Sequence, residues 1–337
     1  MKCKFMNAKS VICRGCNLLG ISNFLQKTNK TPRVIFYHGV SSALPISVAP
    51  ENIHLEEFEY QLKYLSRNYN VIGIEEFEDR FKAHSFVGDE ILITFDDGYA
   101  NNLYEAVPLL HKYEIPATMF VSTEHSETGS FYPTSVSRIL INEYVSIAPL
   151  RLESIGRTFR LFTQKDRNDA IQDINSFIKT SSLDKTRQIV EDLKTHFSEK
   201  ELIRLREKYK SLRPLRLSEL KSLSQAKGIT IGSHCDYHIC CHEGQDVHVI
   251  KQQLTQSKIK LEELIGKSCK YLAYPNGDFV SAMLKCVELN YNLAFTTKAK
   301  ERITKETSPI LIPRLGVPTQ KDKFKLYLGL YPQRTKL

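Results

Sequence analysis

The sequence predicts an α/β fold in which parallel strands alternate with helices, and three observations support it. Residues 90–94 form a short apolar run rich in β-branched side chains, bounded by polar residues, which is typical of a buried parallel strand that ends in a loop. A helix pattern over 103–113 and a strand pattern over 117–121 follow directly. From 127 to 216 the alternation stops and the pattern becomes helical and polar, which predicts an insertion.

The other predicted elements continue this alternation. A helix over 54–65 repeats apolar residues at helical spacing, with acidic residues in its first turn and basic residues late, as the helix dipole favours. Further strands are predicted at 32–40, 71–72, 271–274, 293–297 and 310–317, and one begins at 229. Further helices are predicted at 74–81, 217–227, 247–265 and 280–289, and inside the insertion at 169–178, 182–195 and 199–210, after a loop and short helix at 131–140.

The segment 1–31 is basic and lies before the first predicted strand. Its basic and apolar residues fit two interpretations, a helix that packs on the α/β unit and an amphipathic helix that lies on an anionic membrane. Polar residues interrupt its apolar stretch and no Ala-x-Ala site follows, so we expect no cleaved signal peptide. The sequence has no uninterrupted apolar run of the ~18 residues that a membrane span needs.

The positive charge of the chain is concentrated in and beside the insertion. The formal net charge is +9, and residues 151–227 hold eighteen lysines and arginines against eleven acidic residues, a surplus of seven. Three interpretations compete: a solvated helical face, a surface for phosphate-bearing substrates or anionic membrane, and a nucleic-acid contact. No interleaving of aromatic and basic residues supports the third, so no nucleic-acid partner is predicted. We expect the insertion to be a lid or docking surface beside the substrate groove.

The eight cysteines are scattered without the spacing of a disulfide framework, which favours a reducing compartment. Cys13 and Cys16 form a Cys-x-x-Cys pair without a second pair, so we interpret them as ordinary thiols. The sequence thus predicts a cytoplasmic location, with peripheral contact to the inner face of the membrane as a further hypothesis.

Two adjacent acidic residues, Asp96 and Asp97, follow the strand at 90–94. The C-terminal ends of parallel strands form the edge where α/β sheets and barrels carry their chemistry. Adjacent carboxylates repel each other and are costly to desolvate, so a metal ion or a raised pKa is needed to hold both in one pocket. The alternative is that Asp-Asp-Gly is only a turn, since Asp and Gly dominate turns.

Two histidines four residues apart, His234 and His238, follow the strand that begins at residue 229. This spacing puts both imidazoles on one side of a helical turn or tight loop, within reach of one cation. Two histidines and one carboxylate are a common ligand set for a catalytic divalent metal, with positions left open for water and substrate. The strand at 271–274 then runs into a Pro-x-Gly turn, which alone is a weak signal.

In this order the three segments resemble the motifs of the polysaccharide deacetylases of carbohydrate esterase family 4, which are nodulation-deacetylase-like. They read Thr-Phe-Asp-Asp-Gly at 94–98, Ser-His-x-x-x-His at 233–238 and Tyr-Pro-x-Gly at 274–277. The resemblance covers about residues 32–318 with one large insertion. It implies a distorted (β/α)7 barrel, and the predicted organisation is an N-terminal segment 1–31, a barrel at 32–126 and 217–320, a helical insertion at 127–216 and a C-terminal tail at 321–337.

The resemblance also implies metal-dependent removal of N-acetyl groups from amino sugars. Asp97, His234 and His238 would hold a divalent ion, which we expect to be Zn²⁺, and Asp96 would be the general base. The backbone N–H of Asn276 would hold the oxyanion. Three further residues are predicted to line or orient the substrate site: Tyr99, Tyr274 and Pro275.

A histidine and an arginine complete the implied site. His38 follows Tyr37 at the tip of the first predicted strand, and this pair resembles the branch that deacetylates poly-N-acetylglucosamine and related exported or lipid-linked glycans. In that branch this histidine is proposed as the catalytic acid, whereas the alternative is a histidine hydrogen-bonded beneath a loop. The last predicted strand carries Arg314 and lacks the Leu-x-His motif of other members, which leaves His38 as the candidate acid. Arg314 would pair with Asp96 and keep it ionised, because Tyr274 occupies the usual place of the family arginine.

The predicted function is therefore deacetylation of a glycan or lipid-linked glycan intermediate in surface polysaccharide biosynthesis. Two alternatives stay open. One is a metal-dependent amidohydrolase that acts on another small carbon–nitrogen amide bond, and the other is a non-catalytic sugar-binding relative. The basic insertion favours a phosphorylated or lipid-linked glycan over a small cyclic amide.

Overall fold

Seven parallel strands form the centre of the computed structural model, which describes residues 12–13, 15–17, 19–43, 47–298 and 301–331. Their order is β11-β10-β9-β6-β5-β1-β12, and β4 pairs with the first half of β5 beside β6. The strands are β1 (Arg33–Tyr37), β2 (Val40–Ser41), β3 (Ile53–His54), β4 (Asn70–Ile72), β5 (Glu90–Phe95), β6 (Ala117–Val121), β7 (Leu150–Leu152), β8 (Arg157–Phe159), β9 (Ile229–Ser233), β10 (Tyr271–Ala273), β11 (Leu293–Phe295) and β12 (Leu315–Gly316).

The segment that ends in β12 closes the sheet into a barrel. Ile312 N donates to Ala294 O at 2.9 Å and Thr296 N donates to Ile312 O at 2.8 Å, so this segment pairs first with β11. Three residues later Leu315 lies in register with Ile35 of β1. One short segment therefore connects the two edges of the sheet, and the predicted distorted (β/α)7 barrel is confirmed.

Helices surround the barrel and form most of the insertion. They are α1 (Ile21–Thr28), α2 (Leu55–Asn68), α3 (Ile74–Lys82), α4 (Val107–Lys112), α5 (Thr123–Thr128), α6 (Pro133–Glu143), α7 (Gln164–Thr180), α8 (Leu183–Thr195), α9 (Glu199–Lys208), α10 (Leu217–Leu223), α11 (Val247–Ile265), α12 (Ser281–Asn290) and α13 (Lys321–Leu330). Most predicted helices are confirmed, and α11 has the predicted bounds. The predicted helix at 103–113 begins instead with a π-helical turn at Asn102–Ala106.

Further local features differ from the sequence prediction. Helix α10 ends at Leu223 rather than at 227, because the chain tightens there and Ala226 N donates to Leu223 O at 3.0 Å. The predicted tail at 321–337 contains α13, which buries Phe324 and Leu328. A β7–β8 hairpin interrupts the helices of the insertion. Its strands have three residues each, too few to produce a recognisable alternation.

The barrel and the insertion have separate hydrophobic cores. All six residues of β5 are buried, as expected for a parallel strand covered on both faces. The insertion buries its own cluster, in which Ile174, Ile189 and Leu193 from α7 and α8 pack against the hairpin. Capping boxes at the starts of α7 and α9 satisfy backbone N–H groups and fix where those helices begin.

Helix α1 packs against the C-terminal helix α13. Asn29 Nδ2 donates to Gly329 O at 3.0 Å, and the buried Arg33 donates from Nε to Leu328 O at 3.1 Å. The described part of segment 1–31 therefore lies on the barrel, while residues 1–11 fall outside the described ranges. No described helix is long and apolar enough to cross a membrane.

Candidate active site

The C-terminal ends of β1, β5, β9 and β10 bring the motif residues to one rim of the barrel. Asp96 N donates to Tyr37 O at 2.9 Å and extends the β1–β5 pairing by one residue. Asp97 then turns the chain with φ 71°, and Gly98 follows with φ 61°. A Cβ at Gly98 would lie 2.5 Å from Val121 Cγ1, so the loop needs glycine at this position.

Asp97, His234 and His238 form a compact group of candidate ligands. His238 Nε2 lies 3.1 Å and His234 Nε2 lies 3.6 Å from Asp97 Oδ1, and the candidate ligand atoms all lie within 4.8 Å of one another. His238 and Asp97 both have left-handed backbones, which are uncommon for residues other than glycine. The structure thus brings together the three residues that the sequence predicted as metal ligands.

Two observations show that this group fits a cation. Asp97 Oδ1 is buried and, within the described residues, accepts no hydrogen bond of good geometry. His234 Nδ1 lies 2.7 Å from Ala273 O, so Nδ1 carries the proton and the Nε2 lone pair faces Asp97. Burial lowers the pKa of His234 to about 4, so the imidazole is neutral near pH 7. An anionic oxygen and a neutral imidazole nitrogen are donors that suit a divalent metal.

Asp96 forms a buried ion pair with Arg314 behind this group. Arg314 Nη1 and Nη2 donate to the two carboxylate oxygens at 2.7 and 2.8 Å. Arg314 is fully buried, donates from Nε to Thr296 O at 3.2 Å and lies against the ring of Phe36. Burial alone would raise the pKa of Asp96, but the Arg314 charge outweighs it and holds that pKa below its usual range. The pairing expected from the sequence is present.

Asp96, Asp97, His234 and His238 line a cavity of about 360 Å³ at the mouth of the barrel, whereas Arg314 lies behind its wall. His38 lines it, half-buried, with its ring 5.6 Å from that of Phe36. Barrel residues and insertion residues share the wall. The lining comprises Phe36, His38, Glu51, Asp96, Asp97, Pro133, Thr134, Arg138, Ile178, Lys179, Thr186, His234, Tyr237, His238, Ile239, Cys240, Gln245, Asn276 and Thr297.

The Pro-x-Gly turn contributes Asn276 to this wall. Asn276 has φ 57°, and its Nδ2 donates to Asp278 Oδ2 at 2.7 Å. Lys179 of the insertion donates from Nζ to Asn276 Oδ1 at 3.0 Å. The turn is therefore held from both the barrel and the insertion.

The three residues predicted to contact substrate lie elsewhere. Tyr99 and Tyr274 are buried, at 1% and 0% exposure, and neither they nor Pro275 line the cavity. Tyr274 OH donates to Ile310 O at 2.9 Å, while Tyr99 OH lies 3.4 Å from Ser135 Oγ. In this structure both tyrosines lie behind the rim, a position from which they can orient the residues that line the cavity.

The insertion supplies site residues that the sequence did not reveal. Tyr132 is buried, and its OH donates to the backbone carbonyl of Asp97 while its ring lies 5.2 Å from that of His238. The end of the insertion also pairs with the Asp-Asp-Gly loop, since Leu215 N donates to Gly98 O at 2.9 Å. No motif marks Tyr132, and only its contacts in the folded chain identify it.

A second cavity of about 500 Å³ lies among α5, α6, α8 and α9. Its walls are largely apolar, and it contains none of the candidate metal ligands. Tyr237 lines both cavities. The smaller cavity at the barrel mouth is therefore the candidate active site.

Comparisons with known sequences agree with the motifs. Residues 85–175 match the family model described as polysaccharide deacetylase, a range that includes the Asp-Asp-Gly loop. A segment of 98 residues, 28% of the chain, is 34% identical to YxkH of Bacillus subtilis (strain 168), whose name places it among the polysaccharide deacetylases. This match spans 33% of the length of YxkH, about a third of that protein.

Comparisons with solved structures extend the likeness over most of the chain. The Streptococcus pyogenes deacetylase PplD, solved in complex with acetate, aligns with a TM-score of 0.56 and 17% identity over 85% of this chain and 92% of its own. IcaB from Ammonifex degensii aligns with a TM-score of 0.55 and 17% identity over 89% of this chain and 96% of its own. At this identity the two structures support the fold.

Proposed function

We propose that this chain is a metal-dependent hydrolase of the polysaccharide deacetylase family that removes N-acetyl groups from amino sugars of a glycan, and the match of residues 85–175 to that family model supports the proposal. One observation carries the proposal. Asp97, His234 and His238 converge on one point of a solvent-reaching cavity, beside the ionised and unligated Asp96. Metal, base and substrate would therefore meet at the barrel mouth.

The metal would be held by Asp97 Oδ1 and by the Nε2 atoms of His234 and His238. We propose Zn²⁺, which favours a site of histidine and carboxylate ligands with an open position for water. When bound, a divalent ion lowers the pKa of a water molecule and polarises the amide carbonyl. The bond from His234 Nδ1 to Ala273 O orients that ring and fixes its tautomer, as is usual for metal-binding histidines.

Asp96 would take the proton of the attacking water as general base. The Arg314 guanidinium keeps the carboxylate ionised and, by contacting both oxygens, fixes its orientation toward the cavity. Fixed orientation lowers the entropic cost of the proton transfer. Arg314 would thus act through Asp96 rather than on the substrate.

The remaining steps would use Asn276 and His38. The backbone N–H of Asn276 would donate to the carbonyl oxygen as it becomes negative. His38 would then protonate the nitrogen as the C–N bond breaks, so that acetate and a free amino sugar leave the site. His38 is half-buried and lines the same cavity as Asp96 and Asp97, which supports this role.

The substrate that we propose is a glycan or lipid-linked glycan intermediate of surface polysaccharide assembly. The Tyr37-His38 pair at the end of β1 supports the branch that acts on poly-N-acetylglucosamine and related glycans, and PplD, a deacetylase with the same fold, was solved with acetate. The scattered cysteines favour action in the cytoplasm, before export, and no disulfide joins the described cysteines.

The proposed activity is tested by acetate release from N-acetylglucosamine oligomers and lipid-linked analogues, with cyclic imides and small amides beside them. We expect acetate from the sugars, its loss with a chelator and its recovery when Zn²⁺ is returned. Turnover of the cyclic imides alone would replace this proposal by the amidohydrolase alternative. Sugar binding without turnover, with metal present, would favour the non-catalytic relative.

Peripheral contact with an anionic membrane is a further part of the proposal. Leu19 and Phe24 are 78% and 65% exposed beside the basic residues Lys27 and Lys30. Exposed apolar side chains next to positive charge favour an anionic bilayer surface. We expect the protein to float with anionic vesicles but not with neutral ones, and a Leu19→Ser, Phe24→Ser variant to stay in solution. Equal flotation of variant and wild type would contradict the contact.

A further inference from the structure

Among the described residues, one charged side chain of the catalytic cavity has neither an oppositely charged partner nor a place among the candidate metal ligands. Asp96 is bound by Arg314, Asp97 belongs to the candidate metal group, and Glu51 accepts a hydrogen bond from Arg138. Lys179 is the exception. No described carboxylate oxygen lies within 4.0 Å of its Nζ, whose nearest polar partner is the neutral Asn276 side chain.

Lys179 is held in place by the insertion and points to the barrel. It lies in the last turn of α7, where Ile174 and Ile178 anchor the helix in the core of the insertion. Its Nζ reaches Asn276 at 3.0 Å, on the turn that would hold the oxyanion. The cavity wall also contains the neutral polar residues Thr134, Thr186, Gln245 and Thr297, while the Asp278 carboxylate bonds the other end of the Asn276 amide at 2.7 Å. Lys179 is exposed and thus brings a solvent-accessible ammonium group, without a directly bonded carboxylate, to the wall of the cavity.

We propose that Lys179 is a specificity-determining residue that binds an anionic group, a phosphate or a carboxylate, carried by the substrate close to its N-acetyl group. The inference rests on the proposed function and narrows its substrate class to anionic amino-sugar compounds. An ammonium group with a neutral partner gains a charge-assisted hydrogen bond when an anionic oxygen arrives. The surplus of seven positive charges over residues 151–227 would also attract such a substrate toward the cavity.

A purely positioning role for Lys179 makes a different prediction. If the side chain only holds the Asn276 turn, its loss impairs neutral and anionic substrates alike. If it binds an anion, its loss impairs only the anionic ones. Lys179→Gln separates the two roles, because the amide can still donate to Asn276 Oδ1 but carries no charge. Lys179→Arg keeps the charge.

The test compares equilibrium binding of three probes to the Zn²⁺-loaded full chain by calorimetry. The probes are methyl N-acetylglucosaminide, which is neutral, N-acetylglucosamine 1-phosphate and N-acetylmuramic acid, which carries a carboxylate. We expect the wild type to bind at least one anionic probe about 10-fold more tightly than the neutral one. Lys179→Gln should abolish that preference while keeping the affinity for the neutral probe, and Lys179→Arg should retain the preference.

The matched control is Lys165→Gln, in the same helix but 85% exposed and paired with Asp169 outside the cavity. It should leave all three affinities unchanged. Preference for one anionic probe alone would identify phosphate or carboxylate as the group that is bound. Equal affinities in the wild type, a preference that survives in Lys179→Gln, or an equal loss for all three probes in that variant would each overturn the inference.

Acetate release, measured in parallel, distinguishes this inference from the proposed function. Turnover of all three sugars without preference would support the proposed deacetylase activity and contradict the anion site at Lys179. A preference for anionic probes that depends on Lys179, without any acetate release, would support the anion site and contradict the deacetylase activity.

Discussion

The barrel rim and the helical insertion meet at one cavity but contribute to it in different ways. The rim supplies the groups for chemistry, each within a few residues of a strand end: Asp96, Asp97, His234, His238 and Asn276. The insertion supplies Tyr132, Arg138 and Lys179, which come from helices or the loops before them and reach the site across the cavity. From this comparison we infer that the rim determines the type of reaction and that the insertion determines which substrates bind.

The two regions also differ in how their charges are arranged. The rim buries its ion pair completely, with Arg314 at 0% side-chain exposure and Asp96 at 4%. The outer face of the insertion carries pairs in solvent, as with Arg151 and Glu153 at 59% and 71% side-chain exposure. Removing one member of a buried pair leaves a charge without solvent or partner, whereas an exposed charge is simply hydrated. The same substitution should therefore have very different effects in the two regions.

The largest effect is expected for Arg314→Met. It should lower the free energy of unfolding by about 3–5 kcal/mol, because Asp96 would be left buried and unpaired. The measurement is denaturant unfolding at pH 7, with Arg151→Met in the insertion as the matched control, for which a change below about 1 kcal/mol is expected. Similar losses for both arginines would remove the distinction between rim and insertion.

A core substitution in the insertion tests whether the two regions are structurally separate. Ile174→Ala should cost about 2–4 kcal/mol of unfolding free energy, since Ile174 is fully buried in the core of the insertion. Ile203→Ala, at a position 62% exposed, should change stability by about 0.5 kcal/mol or less. Metal content should be kept in both folded variants. Loss of metal from folded Ile174→Ala would show that the core of the insertion holds the ligands in place.

Tyr132→Phe tests the direct contact between the insertion and the metal site. It removes only the hydroxyl that donates to the Asp97 carbonyl and keeps the ring beside His238. We expect metal affinity to fall about 10-fold, since groups that orient metal ligands typically contribute 10–100-fold. Competition with a fluorescent zinc chelator measures it. Tyr209→Phe, whose hydroxyl bonds Glu143 within the insertion, is the control. An unchanged metal affinity in Tyr132→Phe would indicate that the insertion contributes to the cavity only through contacts with the substrate.

The smallest effect on the free energy of unfolding is expected for an ion pair where the insertion rejoins the barrel. Glu219 accepts two bonds of 2.6 Å from Arg213. Although its partial burial would raise the pKa, the bonds from Arg213 and Tyr104 lower it from 4.5 to about 2. A pKa lowered by folding stabilises the protein above the unfolded pKa, and that contribution disappears as the pH falls through the folded pKa.

Glu219→Gln should therefore cost about 1–2 kcal/mol at pH 7 and progressively less between pH 4.5 and 2. Unfolding of wild type and variant at pH 7, 4 and 3 checks this. If the difference in unfolding free energy between wild type and variant does not change with pH, the charge of the Glu219 carboxylate does not stabilise the junction.

The sequence predicted the rim far better than the insertion. Parallel strands bury continuous apolar runs, so the end of β5 and the acids after it are visible in the residue pattern. Arg314 was predicted because the last predicted strand resembles the arginine-containing form of the family's final motif. Tyr132 contacts Asp97, which is 35 residues away in the sequence, and Lys179 contacts Asn276, which is 97 residues away. No local sequence pattern encodes contacts between residues so far apart.

Two tyrosines of the rim are buried and do not line the cavity. Tyr99 follows the Asp-Asp-Gly motif and Tyr274 begins the Tyr-Pro-x-Gly motif, and the sequence could not tell whether their rings face the cavity or the interior. The structure buries both, with the Tyr274 hydroxyl bonded to a backbone carbonyl. Aromatic side chains have a large apolar surface, which favours the interior when a hydrogen-bond partner is available there.

Metal content and acetate release, measured together for the wild type, Asp97→Ala and Asp96→Asn, test the central claim most directly. We predict stoichiometric metal and acetate release from N-acetylglucosamine oligomers or lipid-linked analogues for the wild type. Asp97→Ala should lose the metal, whereas Asp96→Asn should keep the metal and lose about 10²-fold or more of the acetate release. A wild-type protein that binds no divalent ion even after Zn²⁺ is added back would contradict the account.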